Sequence, residues 1–192
     1  DNRQAPDMAY ALDPFDMTWV DGGRYAILGP SGCGKTTMLN IMSGIVQPSE
    51  GKLLFDGVDV TALSTSERNI AQVFQFPVIY GTMTVEQNLA FPLVCRNYEK
   101  SVIDAKVREV AEALSLQGLL KKSASRLTAD QKQLISLGRG LVRDDVAAVL
   151  MDEPLTVIDP DLKFRLRRQL KEINQKYRST LIYVTHDQNE AM

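Results

Sequence analysis

Residues 24–45 read RYAILGPSGCGKTTMLNIMSGI, and they leave the chain few ways to fold. An apolar run, Tyr25 to Leu28, leads into a glycine-rich turn, after which Met38, Ile41, Met42 and Ile45 recur at helical spacing. That is strand, loop, helix. Across the loop, Gly29 to Thr36 fits GxxxxGK[ST], a pattern whose backbone N–H groups wrap a polyphosphate at a helix N-terminus. Ser31, Gly32, Cys33, Gly34, Lys35, Thr36 and Thr37 are the residues expected to cradle it. Lys35 would reach the β and γ phosphates, and the Thr36 hydroxyl would hold Mg2+. The bland alternative is a glycine-rich turn with a chance lysine, and the strand before and helix after argue against it. Cys33 reads as a small filler rather than a nucleophile.

At 192 residues with 44% hydrophobic residues, one soluble domain with a substantial core is expected. Lys and Arg number 22 against 24 Asp and Glu, a balance that gives no electrostatic footprint for nucleic acid or an anionic membrane. Two cysteines and one histidine exclude a disulfide framework and the usual zinc spacings, and fit a reducing cytoplasm. No apolar run approaches the roughly 20 residues that span a bilayer. The start on Asp1 and the helix-like end at NEAM read as a piece of a longer chain.

A second acidic site follows. In DDVAAVLMDEPLTVIDPDLKF, Val146 to Met151 form a short continuous apolar run ending in Asp152 and Glu153, as a buried parallel strand would. Asp152 is placed to bind Mg2+ through water and Glu153 to act as general base on the attacking water, although acids also simply end strands. Asp159 and Pro160 read as the cap and first residue of a helix with Leu162, Leu166, Leu170, Ile173 and Tyr177 on one face. Its bases Arg165, Arg167, Arg168, Lys171 and Lys176 read as a solvated surface. The run Leu181 to Val184 is another strand, and it delivers His186 to the carboxyl edge where α/β sheets bind ligands, in reach of a γ phosphate.

These pieces, in this order, resemble the ATP-binding subunit of an ABC transporter. GPSGCGKTT is similar to Walker A, VFQ with Gln75 to the Q-loop, LTADQ to the signature, and VLMDEP to Walker B. TVID with Asp159 is similar to the D-loop and VTHD with His186 to the switch histidine. The likeness runs from about Asp21 to Met192, and FDGVDVT, FQFPVIYGTMTVEQNLAFPL and VTHDQNEAM most resemble importers of carbohydrates and polyols. It implies an α/β P-loop NTPase fold with a RecA-like parallel-sheet core, an N-terminal antiparallel β subdomain, and an inserted helical subdomain at about Thr84 to Leu141. ATP and Mg2+ are the implied cofactors, with Gln75 beside Thr36 and Asp152 on the metal. Glu153, His186 and Gln75 are implied as catalytic, and Thr128 and Asp159 as nucleotide contacts. The implied partners are a second ATP-binding subunit, membrane permeases and, indirectly, a solute-binding protein, all at the cytoplasmic face of the inner membrane. In the same likeness Val78, Ile79 and Tyr80 would dock the permease, and Tyr10 is the nearest aromatic for stacking adenine. A soluble ABC-type ATPase acting on nucleic acid or ribosomes is the competing class, and the acidic balance argues against it.

The signature departs from the family's usual LSGGQ. Thr128 keeps the hydroxyl, but Ala129 and Asp130 stand where two glycines let backbone approach phosphate. Thr128 and Gln131 also spell a capping box, and Asp130 in the first turn suits the helix dipole. Two like unit charges about 4 Å apart repel by about 4 kcal/mol at an effective dielectric near 20. An acid facing phosphate would therefore weaken closure and make the pair of sites asymmetric; an acid turned aside would leave the loop working normally.

Overall fold

The structure, a computed structural model of the chain, describes residues 10–156, 158–164, 166–168 and 179–186. In chain order the elements are β1 (Arg24–Leu28), α1 (Lys35–Ser43), β2 (Leu54–Phe55), β3 (Val58–Asp59), β4 (Ile70–Val73), α2 (Val85–Val94), α3 (Lys100–Ala113), α4 (Ala129–Leu141), β5 (Ala148–Asp152) and β6 (Thr180–Thr185). Single 3-10 turns at Gln117–Leu119 and Ala124–Arg126 join α3 to α4. The sheet runs β1-β6-β5-β4 with every pairing parallel, while β2 and β3 form a small antiparallel ribbon. This is the P-loop α/β architecture expected from the sequence, with the small antiparallel sheet beside it.

Both faces of the central strands are buried, which is why β5 and β6 read as continuous apolar runs. Side chains alternate across a strand, so Ala148 and Leu150 join Ile182 and Val184 under α1, with Met38, Leu39 and Met42. Val149, Met151 and Tyr183 face the other way, into a larger core with Val85, Leu89, Val110, Leu114, Ile135 and Leu137 from the helical segment. Full burial of a side chain such as Leu39 contributes about 2 kcal/mol.

Local chemistry sets the helix bounds. Helices α2 and α4 both start in complete capping boxes, Thr84 with Gln87 and Thr128 with Gln131. Helix α1 stops at Gly44, whose φ of 82° is left-handed, so Ile45 falls outside it and is exposed rather than continuing the helical stripe. The spacing of Met17 and Trp19 suggests a strand, but residues 13–20 form none, having no ladder partner among the described residues. Trp19 still packs partly buried on the α1 side, its ring 6.2 Å from that of Tyr25. Residues 160–164 and 166–168 are helical as expected, with Leu166 fully buried, whereas Arg165, Leu170, Lys171, Ile173, Lys176 and Tyr177 lie outside the described residues.

One buried cation fastens α1 to the rest. Arg68 is 2% exposed and donates to four carbonyls: Ile41, Met42 at 3.1 Å, Thr61 at 2.6 Å and Leu63 at 3.0 Å. Two of these belong to the last turn of α1, where a cation also meets the negative end of the helix dipole. Burial alone lowers the guanidinium pKa from its usual value, so the charge is held by hydrogen bonds. Arg68→Met keeps the stem and removes the donors, and is expected to destabilise the chain by about 3 kcal/mol. A fall in the urea midpoint at unchanged slope would register this, and an unaltered midpoint would refute it.

Candidate functional site

Parallel pairing puts the carboxyl ends of all the sheet strands on one edge. The register makes this specific: Leu28 pairs with Thr185, Asp152 with Val184, and Val73 with Met151. The residues just past those ends are therefore neighbours. The glycine-rich loop follows Leu28, His186 follows Thr185, Glu153 follows Asp152, and Gln75 lies two residues beyond Val73.

The loop from Gly29 to Gly34 delivers α1 with its N-terminus open to the edge. Gly34 is its cap residue at φ 92°, and a Cβ there would lie 2.8 Å from the carbonyl oxygen of Ala11, so a side chain is excluded twice. Lys35 is 9% exposed and its Nζ turns back into the loop, donating to Gly29 O at 2.6 Å and Pro30 O at 2.7 Å. Cys33 Sγ sits 3.8 Å from that nitrogen. Ser31, Gly32, Cys33 and Thr36 are exposed on the same turn and Thr37 is half-buried.

Across from the loop, the Thr36 hydroxyl faces the Asp152 carboxyl closely enough to favour its ionised form. Asp152 is 5% exposed; desolvation, then the neighbouring Glu153, push its pKa above the ordinary carboxylate range, while Thr36 and Lys35 pull it down. Glu153 adopts φ 43°, a left-handed conformation that costs a non-glycine residue about 1 kcal/mol. Its N–H is held by Val184 O at 2.9 Å, and the turn sends its carboxyl toward the next strand. There Oε2 lies 2.9 Å from His186 Nδ1 and accepts from the Thr156 hydroxyl at 3.3 Å. Strain held by a ladder bond at one acid is what a functional position looks like.

The structure thus brings Lys35, Thr36, Asp152, Glu153 and His186 together, with Gln75 on the same edge. The signature turn is on a different element, the start of α4. The capping box read from the sequence is present there, Gln131 N–H to Thr128 Oγ1 at 3.4 Å and Thr128 N–H to Gln131 Oε1 at 3.2 Å. Ala129 is exposed and Asp130 half-exposed in the first turn. Asp159 is the expected helix cap, its Oδ1 accepting from Asp161 N–H at 3.0 Å. Tyr10 lies one residue before Ala11, the residue that touches Gly34, and donates to Glu50 at 3.0 Å. Of the segment expected to dock a partner, Val78 and Tyr80 are exposed, but Ile79 packs against the larger core.

Sequence reasoning missed two residues here. Phe76, in a segment whose aromatics read as exposed but not among the three docking residues named, is its most exposed aromatic at 68%. Gln133, fully buried, donates its side-chain amide to Phe74 O at 3.1 Å and Pro154 O at 2.8 Å. A polar residue on the inner face of an amphipathic helix was the available signal.

Comparison with known proteins identifies the family. Residues 12–156 match the family model described as ABC transporter. The trehalose import ATP-binding protein SugC of Mycobacterium tuberculosis is 41% identical over 191 residues, 100% of this chain and 48% of that protein. The sn-glycerol-3-phosphate import ATP-binding protein UgpC of Salmonella typhimurium is 39% identical over 94% of this chain and 51% of its own. This chain spans about half the length of those relatives. Among solved structures, cbiO1 from Clostridium perfringens, part of the transporter complex cbiONQ, superposes with a TM-score of 0.80 at 27% identity, covering 92% of this chain and 72% of that one. The ADP conformation of MJ1267, an ATP-binding cassette of an ABC transporter, gives 0.78 at 26% identity over 94% of this chain and 76% of its own. With its phosphate loop and paired acids at one sheet edge, and a family match over most of its length, this chain belongs to the ABC transporter family.

Proposed function

We propose that this chain binds and hydrolyses ATP as the motor subunit of an importer for sugars or polyols. The observation that carries the hydrolytic part is the meeting of Glu153 and His186, 2.9 Å apart, at the strand ends beside the phosphate loop. The solute class rests on the relatives, whose names specify import of trehalose and of glycerol phosphate.

The chain's own groups suit each step. Lys35 exchanges the Gly29 and Pro30 carbonyls for the β and γ phosphates, while loop N–H groups and the N-terminus of α1 cradle them. A hydroxyl and a carboxylate, Thr36 and Asp152, are hard oxygen donors, the kind of set that keeps Mg2+ with several of its waters. Gln75 would complete that set. Bound there, Mg2+ supplies charge neutralisation on the phosphates. Glu153, oriented by His186 and Thr156, takes the proton from the attacking water. His186, half-exposed, is free to swing between Glu153 and a γ phosphate.

Two subunits would close over two nucleotides, each phosphate loop facing the other's Thr128 turn, with Asp159 near the seam. Phe76, Val78 and Tyr80 would meet the permease at the cytoplasmic face of the membrane, and a solute-binding protein would act on its far side. No helix among the described residues is long and apolar enough to cross a membrane. The self-capped start of α4, with Asp130 already compensating the helix dipole, favours a signature that binds phosphate weakly and makes the facing site slow.

In the reconstituted full-length assembly, Glu153→Gln is expected to leave ATP binding intact and cut turnover about a thousandfold; retained turnover would require another base. Ala129→Gly with Asp130→Gly is expected to speed hydrolysis at the facing site about tenfold, equivalent to about 1.4 kcal/mol of barrier. Unchanged turnover in that double variant would mean that Asp130 turns aside. Pull-down of the full-length chain from detergent-solubilised membranes is expected to bring permeases with it, and recovery of ribosomes or DNA factors instead would overturn the transporter reading.

A further inference from the structure

Gln133 is unusual on energetic grounds. Its side chain is fully buried in α4, its amide nitrogen serves two carbonyls, and its Oε1 has no hydrogen-bond partner among the described residues. A buried acceptor left unsatisfied costs about 1–3 kcal/mol, so packing alone favours a leucine or methionine here. What the glutamine gains is position. Phe74 immediately precedes Gln75, and Pro154 immediately follows Glu153. One amide therefore ties together the backbones carrying the two groups that flank the phosphate loop.

The same face of α4 continues the contact. Ser136, three residues on, accepts from Val78 N–H at 3.3 Å, and Arg139, three further, donates to Val78 O. Arg139 also lies 4.6 Å over the Tyr80 ring. Residues three apart on a helix share a face, so a single stripe holds the backbone from Phe74 to Tyr80. Asn88 of α2 clamps the far end, donating to Tyr80 O at 3.0 Å and accepting from Tyr80 N–H at 2.8 Å.

We propose that Gln133 is a positioning residue: by holding the backbones beside Gln75 and Glu153 in one hydrogen-bonded node, it sets both groups relative to α4 and the Thr128 turn that begins it. This rests on the ATPase reading. Gln133 is fully buried and acts through those two backbones, so its effect falls on the geometry of hydrolysis rather than on ATP affinity, which the phosphate loop supplies from α1 and β1.

The test is a split between binding and turnover in the full-length assembly with its permeases. Gln133→Met keeps the volume and removes the donors; it is expected to lower kcat about thirtyfold, as misplacement of reacting groups by a fraction of an ångström does, with affinity for a fluorescent ATP analogue within about twofold. Gln133→Glu, which keeps the shape and turns oxygen toward both carbonyls, should give the same split if Gln133→Met folds poorly. Leu141→Ala is the control, since it removes buried packing from the far end of the same helix, eight residues from Gln133. If both Gln133 variants lose turnover only in proportion to folded fraction, as that control does, or lose ATP binding in step with turnover, the inference is wrong. A wild-type assembly that binds ATP without hydrolysing it would remove the ATPase reading as well, whereas active wild type with equally active Gln133 variants removes this inference alone.

Discussion

The pairing of β6 between β1 and β5 is the interaction on which the rest depends. It sets the phosphate loop, which leaves β1, beside the strand that ends in His186, and that strand beside the one that ends in Asp152 and Glu153. Slipping any of these strands by one residue would turn its apolar set to the wrong face. Because β5 and most of β6 are buried, their register is tied to the cores on either side, and core packing brings the strand ends that carry Glu153 and His186 together. The backbone at this edge is thus fixed by the two cores that flank it, while the exposed His186 side chain lies outside them.

Much of this was legible in the sequence because the signals are local. The strand-loop-helix grammar around Gly29 to Thr36, the apolar run ending in Asp152, and the capping box of Thr128 and Gln131 each reside within a few consecutive residues, and the structure contains all of them. What was not legible involves residues far apart in the chain. Arg68 reaches carbonyls 26 and 27 residues upstream, and Gln133 reaches a carbonyl 59 residues upstream and another 21 downstream. A side chain donating to backbone leaves no complementary residue type to read, so no pairing of opposite charges or polar partners announces it. Ile79 is ambiguous for a related reason: an apolar residue in a loop is consistent with docking or with packing, and the structure shows it partly buried against the larger core.

Helix α4 makes the division of labour plain. Its start carries the Thr128 turn, its polar stripe holds the segment from Phe74 to Tyr80, and its apolar residues Ile135, Leu137 and Leu141 anchor it in the larger core. Hydrogen bonds to backbone are well suited to the first tasks, because they fix the path of the chain whatever side chains it displays. The exposed side chains of Phe76 and Val78 project from a backbone whose course is fixed beneath them.

The inward turn of Lys35 has a consequence for how the site empties. A buried ammonium with no acceptor would hold on to any phosphate that neutralised it, and departure of the product would strand the charge. Here the carbonyls of Gly29 and Pro30 stand ready at 2.6 and 2.7 Å, so the lysine changes partners instead of losing them. The loop thus carries acceptors for its own buried ammonium, and on the reading proposed above a departing nucleotide would strand no charge.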